Sequence, residues 1–339
     1  MRVAIDVGYG AVKAMTAAHR VQFPAVLARA DGDTTLATAL GGSQPDPVYV
    51  AAPGTPGATW WVGRDAHGAP DAVRPWGVEA TEREGYDVLV WAALHRLAPP
   101  GPAPVSWDLA LGLPLGLFAT QRDALRARFQ GITANVGDSA GTARPMHIQR
   151  VWVWPQAAGA YYGTAVSAEG QILRADLLEC PVGIIDVGYR TTDYFVMMPG
   201  DGGPRPVKAL AGSLDTGAVL VMDGIRRRVE TATGQLLDPL QIERVVEAHR
   251  PLTVLGHDVP YGDWLDEEAT RVAVRVRETV RSAWGREWAT LGAVILAGGG
   301  AVLLGDPLRA VHPTAELAPD PVFSNAAGFL AATALLAAA

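Results

Sequence analysis

The chain of 339 residues has a single cysteine, Cys180. That excludes an internal disulfide and a cysteine-built zinc centre, and it fits a reducing compartment. No apolar run approaches the roughly 18 residues of a membrane span. The Ala/Leu-rich tail AAGFLAATALLAAA comes closest and is too short. Surplus positive charge is also missing. The net charge of −7 argues against general electrostatic binding to nucleic acid or to an anionic membrane. There is no G-x-x-x-x-G-K-[ST], so no P-loop, and no G-x-S-x-G nucleophile elbow. The seven histidines are scattered without an H-E-x-x-H, so a zinc hydrolase is not expected. The N-terminus enters a strand-like run at once, without the basic-then-apolar pattern of a secretory signal. The expected location is cytoplasmic.

What remains is a core-forming composition, 49% apolar and 19% charged, on a chain long enough for two domains. Its most informative feature is a repetition. VAIDVGYGAVKAM near the start and GIIDVGYRTTDYFVM half a chain later overlay without a gap. Asp6-Val7-Gly8-Tyr9 then falls on Asp186-Val187-Gly188-Tyr189. Each copy reads as a buried strand ending in an acid, a glycine turn and a returning strand. Around both copies strands alternate with helices. A helix is expected from Tyr86 to Leu97, stopping before Pro99-Pro100. Another is expected over TQRDALRARFQG, ending at Gly131, and a third starts at Pro155, where a missing N–H does no harm. In the second half, a helix over DTGAVLVMDGIRRRV is expected to carry a Ser, Asp or Thr cap. Asp238-Pro239 opens the next one. The longest places Leu265, Ala269, Val272, Val276, Val280 and Ala283 on one face. Residues 30–85, rich in Gly, Pro, Asp and Thr, read as an irregular insertion with strand-like pieces at PVYVAA and TWWVG. The fold class is α/β, built of two similar halves by duplication.

The repeated turn has a chemical reading. A tight glycine turn presents backbone N–H groups in a concave arrangement that suits phosphate oxygens. A carboxylate at the strand end repels phosphate but holds a divalent cation, usually through water, and the cation bridges to phosphate. Two such turns on one polyphosphate give Asp6 and Asp186 a shared Mg2+. Lys13 can neutralise phosphate charge, and the hydroxyls of Thr191 and Thr192 can donate. The competing reading is that Asp6 and Asp186 only cap turns, and the duplicated context favours function.

The motifs IDVGYGAVK, PQAAGAYYG, IIDVGYRTTDYFV, LAGGGAVL and SNAAGFLAA, in that order, resemble those of the actin-like ATPase superfamily. Within it the chain is most similar to prokaryotic ParM-type and archaeal actin-like proteins. The resemblance implies a duplicated actin-like (ribonuclease H-like) fold with a nucleotide cleft between two domains. Residues 1–155 with the C-terminal helix 324–339 would form the first, and 156–323 the second. It assigns Asp6, Gly8, Gly10 and Lys13 to the first phosphate motif and Asp186, Gly188, Thr191 and Thr192 to the second. Gly298, Gly299 and Gly300 match the adenosine motif. Gln156 takes the position that orients the attacking water, against a plain capping role beside Pro155. A neutral glutamine can position water for in-line attack but is no strong base. Gly328 is implied as a close helix-packing point. Tyr189-Arg190 departs from the small residues usual there, which leaves Arg190 to stack, reach phosphate or face solvent. Lys208, Asp215 and Arg226–Arg228 fall where relatives contact ribose and base, although a solvated helix face explains them as well. The implied cofactors are ATP or GTP with Mg2+.

The implied activity is slow Mg2+-dependent NTP hydrolysis coupled to domain closure. Fold alone does not select the output. The leading expectation is a filament-forming protein with head-to-tail contacts, in plasmid or DNA segregation or a related cytoskeletal role. A DNA-binding adaptor fits the negative charge better than direct nucleic-acid binding. The alternatives are a non-filamentous sugar-kinase-like enzyme, whose extra catalytic Asp motif is not found, and a chaperone-like ATPase, for whose substrate-binding domain the chain has no room. A membrane-tethered scaffold needs a basic amphipathic face that the tail lacks, so the tail is expected to be a buried closing helix.

Overall fold

The computed structural model describes residues 1–30, 46–53, 56–69, 71–75, 84–201 and 203–338. They form two compact units, 1–173 with 325–339, and 174–324. The division falls later than the 155/156 boundary expected from sequence. Helix Gln156–Ala165 belongs to the first unit because Gly159 packs directly on Asn325 and Phe329 of the C-terminal helix.

The first unit is built on β1 (Arg2–Val7), β2 (Ala11–Met15), β3 (Arg20–Pro24), β4 (Leu27–Arg29), β5 (Pro47–Ala51), β6 (Ala58–Val62), β7 (Val105–Leu113), β8 (Thr133–Gly137) and β9 (Arg144–Pro155). Their order is β3-β2-β1-β7-β9-β8-β5-β6-β4. β1, β7 and β9 are parallel neighbours, and β1–β2 is an antiparallel hairpin. Of the expected irregular stretch 30–85, the described pieces at PVYVA and ATWWV are β5 and β6 of this sheet. Residues 31–45, 54–55, 70 and 76–83 lie outside the described residues.

Strand periodicity of two decides which helices cover which face. Val3, Ile5, Leu109 and Leu111 pack with Trp91 and Leu94 of helix Glu84–Leu97 and with Leu125 and Phe129 of helix Leu115–Phe129. Ala4 and Ala110 alternate with them and meet Ala326, Phe329 and Leu330. Alanine there lets helix Ser324–Ala338 lie close to the sheet. The tail is thus a buried closing helix. Helix Leu115–Phe129 starts earlier than its amphipathic pattern suggested, because Pro114 is its N-cap rather than an interruption.

The second unit has β10 (Val182–Val187), β11 (Thr192–Met198), β12 (Arg205–Pro206), β13 (Gly212–Leu214), β16 (Ala293–Ala297) and β17 (Ala315–Leu317) in one sheet. A separate hairpin pairs β14 (Leu252–Val254) with β15 (His257–Val259). Helix Gly262–Trp284 buries Ala269, Val272, Val276 and Val280, as its apolar stripe required. Asp238 caps helix Pro239–Glu247, accepting from the Leu240 N–H. Helix Ala218–Thr233 corrects the expected side-chain cap. Its N-cap is Gly217, which makes no side-chain bond. Instead the N–H groups of Ala218 and Val219 donate to the Gly188 and Tyr189 carbonyls. The glycine turn thus satisfies donors that a helix start leaves open.

The two sheets share a core. The run β3-β2-β1-β7-β9 in one matches β12-β11-β10-β16-β17 in the other. In each, an antiparallel hairpin borders two parallel strands. The fold is a duplicated two-domain actin-like one.

Candidate functional site

In open sheets with parallel strands, ligands gather beyond the carboxyl ends of those strands. In the first unit these ends are Val7–Gly8 after β1, Leu113–Pro114 after β7 and Pro155–Gln156 after β9. In the second they are Val187–Gly188 after β10 and Ala297–Gly298 after β16.

The first end brings together three residues singled out from sequence. Asp6 is 4% exposed and lies across the hairpin from Lys13. The Lys13 ammonium stands 3.7 Å from its carboxylate. The Gln156 side-chain amide donates to Asp6 Oδ1 at 2.8 Å. Gln156 is therefore not a capping residue, and Pro155 makes no side-chain cap bond either. Gly112, unremarked in the sequence, makes the reach possible. A Cβ there would stand 2.4 Å from Phe329 and 3.0 Å from Gln156 Cγ. Beside this group is a recess of about 40 Å3, lined by Gly8, Tyr86, Gly112, Pro114 and Gln156 among others.

The second end repeats the geometry. Asp186 is 8% exposed, and the Gly188 N–H donates to the Thr191 carbonyl at 2.8 Å, as Gly8 does to Ala11 at 3.1 Å. These two N–H groups close their turns, so any phosphate contact falls to other backbone groups there. Thr192 is corrected as a ligand donor. It is fully buried, and its hydroxyl donates to the Thr216 carbonyl at 2.6 Å. Thr191 is only half-buried. Sequence reasoning passed over Asp193, which is 4% exposed and pairs in register with Asp186. The signal was available, because the gapless overlay sets Asp193 on Lys13. The first hairpin faces a carboxylate with an ammonium, and the second faces it with another carboxylate.

The two residues that depart from the family pattern are tied to the fold. The Tyr189 hydroxyl donates to Glu243, which is buried on helix Pro239–Glu247. Arg190 donates to Asp215 at 3.2 Å. Lys208 is exposed in a short 3-10 turn. Arg226 pairs with Asp223, and Arg228 with Glu267 and Glu268. These are the bonds of a solvated helix face.

Of the three consecutive glycines, two answer to packing. Gly298 has φ +83, and a Cβ on it would stand 2.2 Å from the Val187 carbonyl and 2.5 Å from Asp186 Oδ1. A Cβ on Gly300 would meet Val187 Cγ1 at 2.5 Å. Gly299 is exposed at the first position of helix Gly299–Arg309, with nothing within 4 Å of a built Cβ. Alanine there should favour the helix by about 0.5–1 kcal/mol. Gly299→Ala is expected to leave thermal stability equal or higher while weakening nucleotide binding, because only a ligand needs that space. A melting curve and a titration separate the two effects; unchanged affinity would remove Gly299 from the site.

Two family models match successive parts of the chain. The actin-like proteins N-terminal domain matches residues 4–159, and the archaeal actin homologue MreB-like C-terminal domain matches 184–310. No curated protein matches it. Among solved structures, the archaeal actin homologue Ta0583 is 23% identical over 98% of both chains, with a TM-score of 0.81. A crystal structure of Ta0583 in complex with ADP gives a TM-score of 0.77 at 23% identity over 98% of both chains. The ParM of a 15-stranded filament from Clostridium botulinum is 21% identical over 97% of both chains, with a TM-score of 0.76. Fold and models together define a duplicated actin-type protein. The chain belongs to the actin-like superfamily, and the ParM and archaeal actin homologues are its structural neighbours.

Proposed function

We propose that this protein binds a Mg2+–nucleoside triphosphate through both hairpin turns, hydrolyses it, and uses the bound triphosphate to drive head-to-tail self-assembly in the cytoplasm. ATP is the expected ligand, with GTP as the competing purine. The observation that carries the reading is the duplicated turn, with the same acid, the same glycine and the same closing hydrogen bond in each unit. One hairpin without the other would be a turn; the pair is a device for two ends of one anion. The ADP bound by one structural neighbour and the filament formed by another support it.

Mg2+ fits the donor set. Asp6, Asp186 and Asp193 are hard oxygen donors, which suit this ion when water and phosphate complete its shell. Among the described residues, no group of three or more His, Cys, Asp or Glu could hold a metal alone, so the ion arrives with the phosphates. When bound, it withdraws charge from the phosphoryl oxygens. Lys13 then turns from Asp6 to a phosphate oxygen, and Gln156 orients the water for in-line attack. The filament reading extends to plasmid or DNA segregation through a DNA-binding adaptor, as an acidic chain requires.

Calorimetric titration with Mg2+–ATP tests the reading. Asp6→Asn and Asp186→Asn each remove one charge without changing shape. Each is expected to weaken Mg2+–ATP binding about tenfold or more, equivalent to about 1.4 kcal/mol. Wild-type affinity in both variants would overturn the shared site.

A further inference from the structure

Tyr86, on helix Glu84–Leu97, carries a polar group that nothing above employs. It is 3% exposed, and its hydroxyl is buried with no hydrogen-bond partner. Buried phenols ordinarily find one. The ring packs near Phe129, with centroids 6.3 Å apart, a contact phenylalanine would make equally well. Burial first, then the Asp6 and Asp87 carboxylates, push the phenol far above its ordinary ionisation range. It therefore stays protonated and available as a donor. Tyr86 also lines the recess beyond β1 and β7 that Gln156 lines. That recess, about 40 Å3, exceeds the ~10–15 Å3 needed to hold a water. With its nitrogen given to Asp6, the Gln156 amide has its oxygen to offer.

We propose that Tyr86 and Gln156 together hold one water in this recess, and that this is the water that attacks the terminal phosphoryl group. The inference rests on the nucleotide hydrolysis proposed above. The Gln156 oxygen accepts from the water, and the Tyr86 hydroxyl donates to it. The water oxygen bonds to the terminal phosphorus. The bond from that phosphorus to the bridging oxygen breaks, and its electron pair stays on the diphosphate. One water proton passes to a phosphoryl oxygen, so the products are nucleoside diphosphate and dihydrogen phosphate. Tyr86 aims the water and takes no proton.

Tyr86→Phe removes only the hydroxyl. Phosphate release in a single turnover is expected to slow about ten- to a hundredfold. That is less than the ~10²–10³ of a donor that meets developing charge, because this one meets a neutral water. Mg2+–ATP affinity should stay within about twofold, so that kcat falls while KM holds. The melting temperature without nucleotide should be unchanged or higher, because an unpaired buried hydroxyl is lost. Hydrolysis at the wild-type rate would overturn the proposal. So would a lowered melting temperature, which would show the hydroxyl bonded within the fold. Failure of the nucleotide reading looks different: neither wild type nor variant would bind Mg2+–ATP, and both claims would fall.

Discussion

Gln156→Ala is expected to bind Mg2+–ATP nearly as tightly as the wild type and to release phosphate about a hundredfold more slowly. Gln156 is the first residue after the carboxyl end of β9, and its side chain is held by Asp6 Oδ1 at 2.8 Å. That bond fixes the amide where its oxygen can hold a water, and Gly112 clears the path. Alanine removes the water's acceptor but leaves Asp6 with the Lys13 ammonium at 3.7 Å. Binding therefore survives and turnover does not. Single-turnover phosphate release beside a binding titration makes the distinction. A wild-type rate would move the water-holding role to another residue. A joint loss of binding would show that Gln156 chiefly supports Asp6.

The second large effect is on folding. A Cβ on Gly328 would stand 1.8 Å from the Gly159 carbonyl oxygen. The clash is backbone against backbone, between helix Ser324–Ala338 and helix Gln156–Ala165, so no side-chain rotation relieves it. Gly328→Ala is expected to cost about 3 kcal/mol, the upper end for overpacking. Against a typical total of ~5–15 kcal/mol, Gly328→Val should leave the first unit largely unfolded. Urea denaturation followed by circular dichroism measures both. A loss below about 1 kcal/mol for the alanine variant would mean that the two helices separate easily. Gly299→Ala is the internal control: one added methyl is harmless in open space and costly at a helix crossing.

The hairpins were legible in the sequence because everything that specifies them is local. Their apolar alternation, terminal acid and glycine turn lie within fifteen residues, and the duplication doubles the signal. Gln156 and Gly328 became legible only through resemblance, since what they touch is far away in the chain. Asp6 lies 150 residues from Gln156. Three errors share that cause. Thr192 sits beside a phosphate-type turn, but the distant Thr216 carbonyl claims its hydroxyl. The cap of helix Ala218–Thr233 comes from the carbonyls of Gly188 and Tyr189, which no local cap rule anticipates. The boundary between halves was set at Pro155, where a helix begins, yet that helix packs on the C-terminal helix and stays with the first unit. Asp193 was missed for another reason. The overlay was read for identity, and a charge reversal at the position of Lys13 carries as much information as a match.

The most direct test of the account is 90° light scattering of the purified protein with Mg2+ and ATP, GTP, ADP or no nucleotide, with phosphate release followed in the same cuvette. The account predicts a rise in scattering that requires a triphosphate, followed by decay as phosphate appears, with Gln156→Ala showing the rise and a delayed decay. Steady phosphate release with flat scattering would contradict self-assembly and leave a soluble hydrolase. Neither binding nor hydrolysis by the folded protein would contradict the site built on Asp6 and Asp186.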